Sequence, residues 1–234
     1  RENAFVTLTY DDEHLPENGS LRKRDWQLFM KRLRESLEPE KVRFYACGEY
    51  GPRTARPHYH ALLFGYGFPD KLVHSHRGPD RHYISKQLSE LWPFGFHVIG
   101  DVSWQSASYV AGYIMKKRTG READYGLVDQ STGEYLPREP EFGLMSRNPG
   151  IGKPWLEKFG ADTYPRDGVV INGRLVRPPR YYDDKWSEVD EEAVALAKQQ
   201  RVHARKRSNE TPERLAVREA VQASRESLTE RNVL

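Results

Sequence analysis

The chain has 234 residues, 37% of them hydrophobic and 30% charged, and its 37 lysines and arginines against 34 acidic residues leave a net charge of +3. With a mean hydropathy of −0.82, and with no run near the roughly 20 apolar residues of a membrane span, an integral helical membrane protein is excluded; the small charge argues against a binder that grips duplex DNA by bulk charge. A single cysteine, Cys47, excludes an internal disulfide and a Cys-rich zinc module, and suits a reducing compartment.

No signal-peptide pattern opens the chain, and its first residue is Arg1 rather than methionine. A strand begins almost at once, so further sequence upstream of Arg1 is expected. That strand is Phe5 to Tyr10, β-branched and aromatic, followed by turn residues through Gly19. Trp26, Phe29, Met30, Leu33 and Leu37 recur at helical spacing and predict an amphipathic helix. Val42–Glu49 and His58–Gly65 read as two strands joined by a short Gly/Pro linker, hence an antiparallel hairpin. Tyr83–Leu91 reads as a second helix, Phe96–Val102 as a fourth strand, and Ser106–Lys117 as a third helix with Ser103 as its cap.

This order predicts an α+β protein, a ferredoxin- or RRM-like antiparallel sheet with helices on both faces. Beyond it, residues 119–150 read as loop. Pro154–Phe159 predicts a short helix ended by Gly160, and Asn172-Gly173 between two apolar triplets predicts a tight hairpin. Seven of the eight histidines lie before residue 119, and no aromatic residue follows Trp186. The tail is expected to be helical, started by Thr211 and Pro212, and solvated or partner-bound. The division expected is 1–165 as the main domain, 166–186 as hairpin and linker, and 187–234 as a charged helical tail.

Two segments carry candidate chemistry. In Pro57-His58-Tyr59-His60 the side chains alternate, so His58 and His60 share one face while Tyr59 anchors the other. Glu49, at the end of the preceding strand, can add a carboxylate, and such a set suits an exchangeable divalent ion, Mg²⁺ or Mn²⁺. Two histidines on a partly solvated sheet face are the ordinary alternative. His74-Ser75-His76 lacks an anchoring residue and a carboxylate and reads as exposed loop, and His14, His82 and His97 as packing or solvated residues. In the third helix Tyr109 and Tyr113 are four apart and share a face, with Lys116 on it and Lys117 at its flank. Tyrosines so spaced more often serve packing; the nearby histidine set is what gives them a chemical role, because a phenol is a weak nucleophile without a metal or cation.

Together Phe5–Tyr10, His58-Tyr59-His60 and Tyr109-x-x-x-Tyr113-x-x-Lys116 resemble the HUH endonuclease superfamily of rolling-circle replication initiators. Gly48-Glu49-Tyr50-Gly51 and Arg56 through Gly65 look closest to the initiators of small single-stranded DNA phages, the gokushovirus branch of the microviruses. Gly112 departs from some relatives, which carry a basic residue between the tyrosines. The resemblance implies the HUH endonuclease fold and a metal-dependent nickase and strand transferase. His58, His60 and Glu49 would hold the metal, Tyr109 or Tyr113 would form a 5′-phosphotyrosine, and Lys116 would steady the phosphate. It further implies DNA contacts from Arg53, Arg56 and Lys117, bases stacked on Tyr50 or Trp104, and single-stranded DNA at the replication origin as partner. Host helicase and polymerase would be engaged, in the cytoplasm of the bacterial host, with no membrane. A non-catalytic RRM-like nucleic-acid binder, or an HUH relaxase or transposase, are the competing readings.

Overall fold

A computed structural model describes residues 2–51, 54–77, 80–115, 124–205 and 207–228. The chain divides into two compact units, residues 1–146 and 147–234. The first contains β1 (Asn3–Tyr10), α1 (Lys23–Leu37), β2 (Arg43–Tyr50), β3 (Pro57–Phe64), β4 (Leu72–Arg77), β5 (Asp80–Ile84), α2 (Lys86–Leu91), β6 (Gly95–Gly100) and α3 (Trp104–Met115). It ends with a small hairpin, β7 (Leu127–Val128) and β8 (Tyr135–Leu136), and with β9 (Phe142–Met145).

Seven strands form one antiparallel sheet in the order β4-β5-β6-β1-β3-β2-β9. Its middle, β6-β1-β3-β2 with α1 and α2, is the ferredoxin-like arrangement that the strand and helix order predicts. On one face Val6, Leu8, Tyr59 and Leu63 are packed with Trp26, Phe29, Leu33, Leu88 and Trp92 into the main core. On the other, α3 lies over Cys47 and Leu62 through Val110. Helices therefore cover both faces, and strict alternation along β3 sends its odd-numbered residues to the larger core.

Three local expectations are corrected. His74-Ser75-His76 is strand, not loop: it runs through β4, which pairs with β5 at the edge of the sheet, and both histidines are exposed. Tyr83 is also strand, opposite Ile99 of β6, because Ser85 stops β5 and caps α2 by accepting the Leu88 N–H at 3.1 Å. In the stretch read as loop, β9 adds to β2, with Phe142 fitted over Gly48, where a Cβ would lie 2.7 Å from its ring. Ser103 does cap α3, accepting the Ser106 N–H at 3.1 Å.

The second unit contains α4 (Lys153–Thr163), the hairpin β10 (Val169–Ile171) and β11 (Arg174–Val176), α5 (Arg180–Trp186), α6 (Glu191–His203) and α7 (Pro212–Leu228). Asn172 and Gly173 both have positive φ, as a two-residue hairpin turn of the primed type requires. Gly160 does not end its helix. It is buried inside α4, where a Cβ would overlap the Trp186 ring. The segment after Trp186 is not uniformly solvated either, since Val194 and Ala197 of α6 are buried against Leu156 and Tyr164. Only α7 fits that expectation, every residue from 211 to 225 being exposed. Among the described residues no helix is long and apolar enough to cross a membrane.

Candidate active site

β3 carries the histidine pair, and its odd-numbered face explains how the pair is held. Tyr59 is fully buried, and its hydroxyl accepts the Arg22 N–H at 3.0 Å, donates to the Arg22 carbonyl at 2.9 Å and lies 2.7 Å from the Tyr10 hydroxyl. Arg22 directly precedes α1, so one phenol ties the histidine strand to the start of that helix. Burial pushes the Tyr59 pKa up to about 12, leaving the hydroxyl a permanent hydrogen-bonding strut.

His58 and His60 emerge on the opposite face. The two rings are 6.2 Å apart between centroids. Glu49 of β2 pairs with His58 in the register, while its carboxylate reaches diagonally to His60, with Oε1 2.9 Å from Nε2. The other ring nitrogen, Nδ1, lies 3.0 Å from Oγ1 of Thr7 on β1. His60, Glu49 and Thr7 are all buried, so these contacts are shielded from water. His58 is less enclosed. Its Nδ1 is buried and has no hydrogen-bond partner, and burial, then the neighbouring His60, lowers its pKa below the ordinary histidine range. A neutral imidazole is the form that binds a metal.

Tyr109 of α3 closes the site from above. Its ring stands edge-on to His60 at 5.3 Å between centroids and edge-on to Phe5 at 6.1 Å. Phe5 in turn stacks on His60 at 6.0 Å. The first tyrosine of the pair and the second histidine are thus direct neighbours. Tyr113 falls one turn later in α3, but its side chain, and the whole of Lys116, Lys117 and Arg53, lie outside the described residues.

Other expected contacts have structural tasks. The Arg56 guanidinium donates to Asp12 Oδ1 at 2.7 Å and to the Tyr10 carbonyl at 3.1 Å, bracing the linker before β3. Tyr50 is covered on one face by the Arg138 guanidinium, 3.4 Å from the ring centroid, and its hydroxyl donates to the Glu139 carbonyl at 2.6 Å. Trp104 is exposed. Cys47 beside the site is buried, its pKa pushed up by that burial and then by Glu49, which makes it an inert packing residue. Sequence reasoning missed Thr7 and Gly51. The signal for Thr7 was a polar residue between Val6 and Leu8; the signal for Gly51 was its place after Glu49, where a Cβ would lie 3.2 Å from His58 Nε2.

The donors suit a divalent cation chemically: two imidazoles, one of them with an unpartnered nitrogen, and a carboxylate on one face. In this arrangement, however, His60 Nε2 and Glu49 meet each other, and among the described residues no three of His, Cys, Asp and Glu are gathered closely enough to hold an ion.

The family model for the ORF2 group of replication-associated proteins matches residues 3–118, which include every element of this site. The chain is 36% identical over 217 residues to replication-associated protein VP4 of Bdellovibrio phage phiMH2K, covering 85% of this chain and 64% of that protein. It is 30% identical over 223 residues to replication-associated protein ORF2 of Spiroplasma virus 4, covering 89% and 66% respectively. With replication-associated protein ORF4 of Chlamydia phage 1 the identity is 34% over 191 residues, 78% of this chain and 45% of that protein. The chain therefore spans less than two thirds of the length of each of these relatives. No solved structure matches it.

Proposed function

Through residues 3–118 the chain belongs to the ORF2 family of replication-associated proteins, and from that premise we propose that it is a phage replication initiator that nicks and rejoins single-stranded DNA through a tyrosyl ester. The observation that supports the chemistry best is Tyr109 standing 5.3 Å from His60, which is itself joined to Glu49. A candidate nucleophile and a candidate metal-binding set share one face.

In this reading His58, His60 and Glu49 are the residues that hold Mg²⁺ or Mn²⁺, at the expense of the His60–Glu49 hydrogen bond. When bound, the ion supplies Lewis-acid neutralisation of charge on the scissile phosphate. Thr7 keeps the His60 ring in place on the side away from the carboxylate, as outer-shell partners of metal-binding histidines do. The hydroxyl oxygen of Tyr109 or Tyr113 bonds to phosphorus as the bond from phosphorus to the 3′ oxygen breaks. The phenolic proton ends on that oxygen, leaving a 5′-phosphotyrosine and a free 3′-OH for a host polymerase to extend, behind a host helicase. Lys116 steadies the charge on the phosphate. Because the ester keeps the bond energy, rejoining is the reverse step and needs no nucleotide. The setting is the cytoplasm of the bacterial host.

Incubation with an origin-bearing single strand and Mn²⁺ is expected to give a protein–DNA adduct that survives denaturing electrophoresis. Chelator, or His58→Ala together with His60→Ala, should abolish it. An adduct that persists in the Tyr109→Phe, Tyr113→Phe double variant would remove the tyrosines from the mechanism. The non-catalytic RRM-like reading has one observation in its favour, an exposed Phe96 on the sheet, and it expects binding without any adduct.

A further inference from the structure

The strand register extends the site sideways. Thr9 of β1 pairs with His58 of β3 on one side and with Phe96 of β6 on the other. Directly paired residues point to the same face, so His58, Thr9 and Phe96 form one row across three strands, about 10 Å from end to end. α3 covers this face over β2 and β3, whereas Phe96 remains 68% exposed. Farther along the same face, on β4 and β5, the paired Leu72 and Ile84 are also exposed.

The exposure of Phe96 is built into the backbone. Gly95 has a φ of +147°, and a Cβ there would overlap the backbone of Thr9 to Asp11. That bend sends Phe94 inward against Trp92, 5.1 Å between ring centroids, and leaves Phe96, two residues on, facing the histidine side. A phenyl ring held out of the core, beside an uncharged threonine and a histidine kept neutral by burial, offers a ligand a flat apolar surface without fixed charge.

We infer that this row seats the unpaired bases next to the phosphate at the histidine pair, with Phe96 as the stacking residue. The inference rests on the single-stranded substrate of the proposed function and not on its cleavage chemistry. Every base has a stackable face, so such a platform grips single strands with little sequence preference. A duplex, whose bases are already stacked on each other, has none to offer it.

The test uses the full chain and a fluorescein-labelled oligo-dT of about 20 nucleotides, with a matched duplex beside it. Phe96→Ala and Phe96→Leu should weaken single-strand binding roughly 10-fold, the loss expected for one stacked base. Phe96→Trp should bind as the wild type does, duplex binding should be equal in all four proteins, and thermal unfolding should be unchanged at so exposed a position. Single-strand binding indifferent to Phe96→Ala, or a change in oligomeric state on gel filtration in its place, overturns the inference. Wild-type protein that forms no adduct yet binds single strands through Phe96 would remove the nickase and leave the platform. Adduct formation and binding both untouched by Phe96→Ala would do the reverse.

Discussion

A carboxylate accepts hydrogen bonds and donates none, so the proton between Glu49 and His60 sits on the imidazole Nε2, and in the neutral ring Nδ1 takes the proton of the Thr7 hydroxyl. Thr7 thus has the same importance for His60 as Glu49 has, although it reaches the ring from a different strand. Thr7→Val keeps the shape and removes the hydroxyl, leaving a buried nitrogen unpaired at a cost of about 1–3 kcal/mol. We expect a lower urea midpoint and, because the ring is then free to turn, adduct formation slowed roughly 10-fold or more. Thr7→Ser should restore both. Equal adduct rates in the valine and wild-type proteins would show that the hydroxyl serves stability alone.

At the level of the element, glycines decide where side chains from other elements can go. Gly160 of α4 faces the Trp186 ring, which in turn stacks on Tyr164 at 5.9 Å. Alanine there gains about 1 kcal/mol of helix propensity and loses about 1–3 kcal/mol to overpacking. The contact is backbone against an aromatic ring, so the loss should win, and Gly160→Ala should lower the urea midpoint of residues 147–234. The histidine hairpin was legible because its cues are local: period-two alternation, a short linker and a bulky Tyr59 between the histidines. The Asn172-Gly173 turn was legible for the same reason. β4 and β5 were not, because exposed strands rich in His and Arg carry no alternation and owe their form to β6 beside them. β9 has four residues and exists through Phe142 meeting Gly48, a contact 94 positions apart that no local pattern records. Thr7 was legible only as an oddity within a strand, and Phe96 passed as an ordinary strand aromatic until the register put it beside His58.

The two units of the molecule are held by different forces, and acid should separate them. Residues 1–146 are built around a large aromatic and aliphatic core. The smaller core of residues 147–234 is joined by a charged cluster in which Asp183, buried, accepts from the Tyr164 hydroxyl at 3.0 Å and from Arg201, which also binds Asp167. Burial alone would raise the Asp183 pKa. The hydrogen bonds from Arg201 and Tyr164 outweigh it and hold the carboxyl below its ordinary value. The unfolded chain, with an aspartate pKa of about 3.9, then takes up the proton first. The stabilisation is complete above about pH 4 and is lost as the pH falls through the folded value. Amide exchange in α5 and α6, corrected for intrinsic rate, should accelerate on acidification before that in β1 and β3 does. Arg201→Met should cost about 3 kcal/mol at neutral pH by stranding a buried charge, and it should also reverse the slope. With no guanidinium beside it, burial raises the Asp183 pKa above the unfolded value, so the variant should gain stability as the pH is lowered. Parallel slopes for the two proteins would mean that the Arg201–Asp183 pair does not couple this unit to pH.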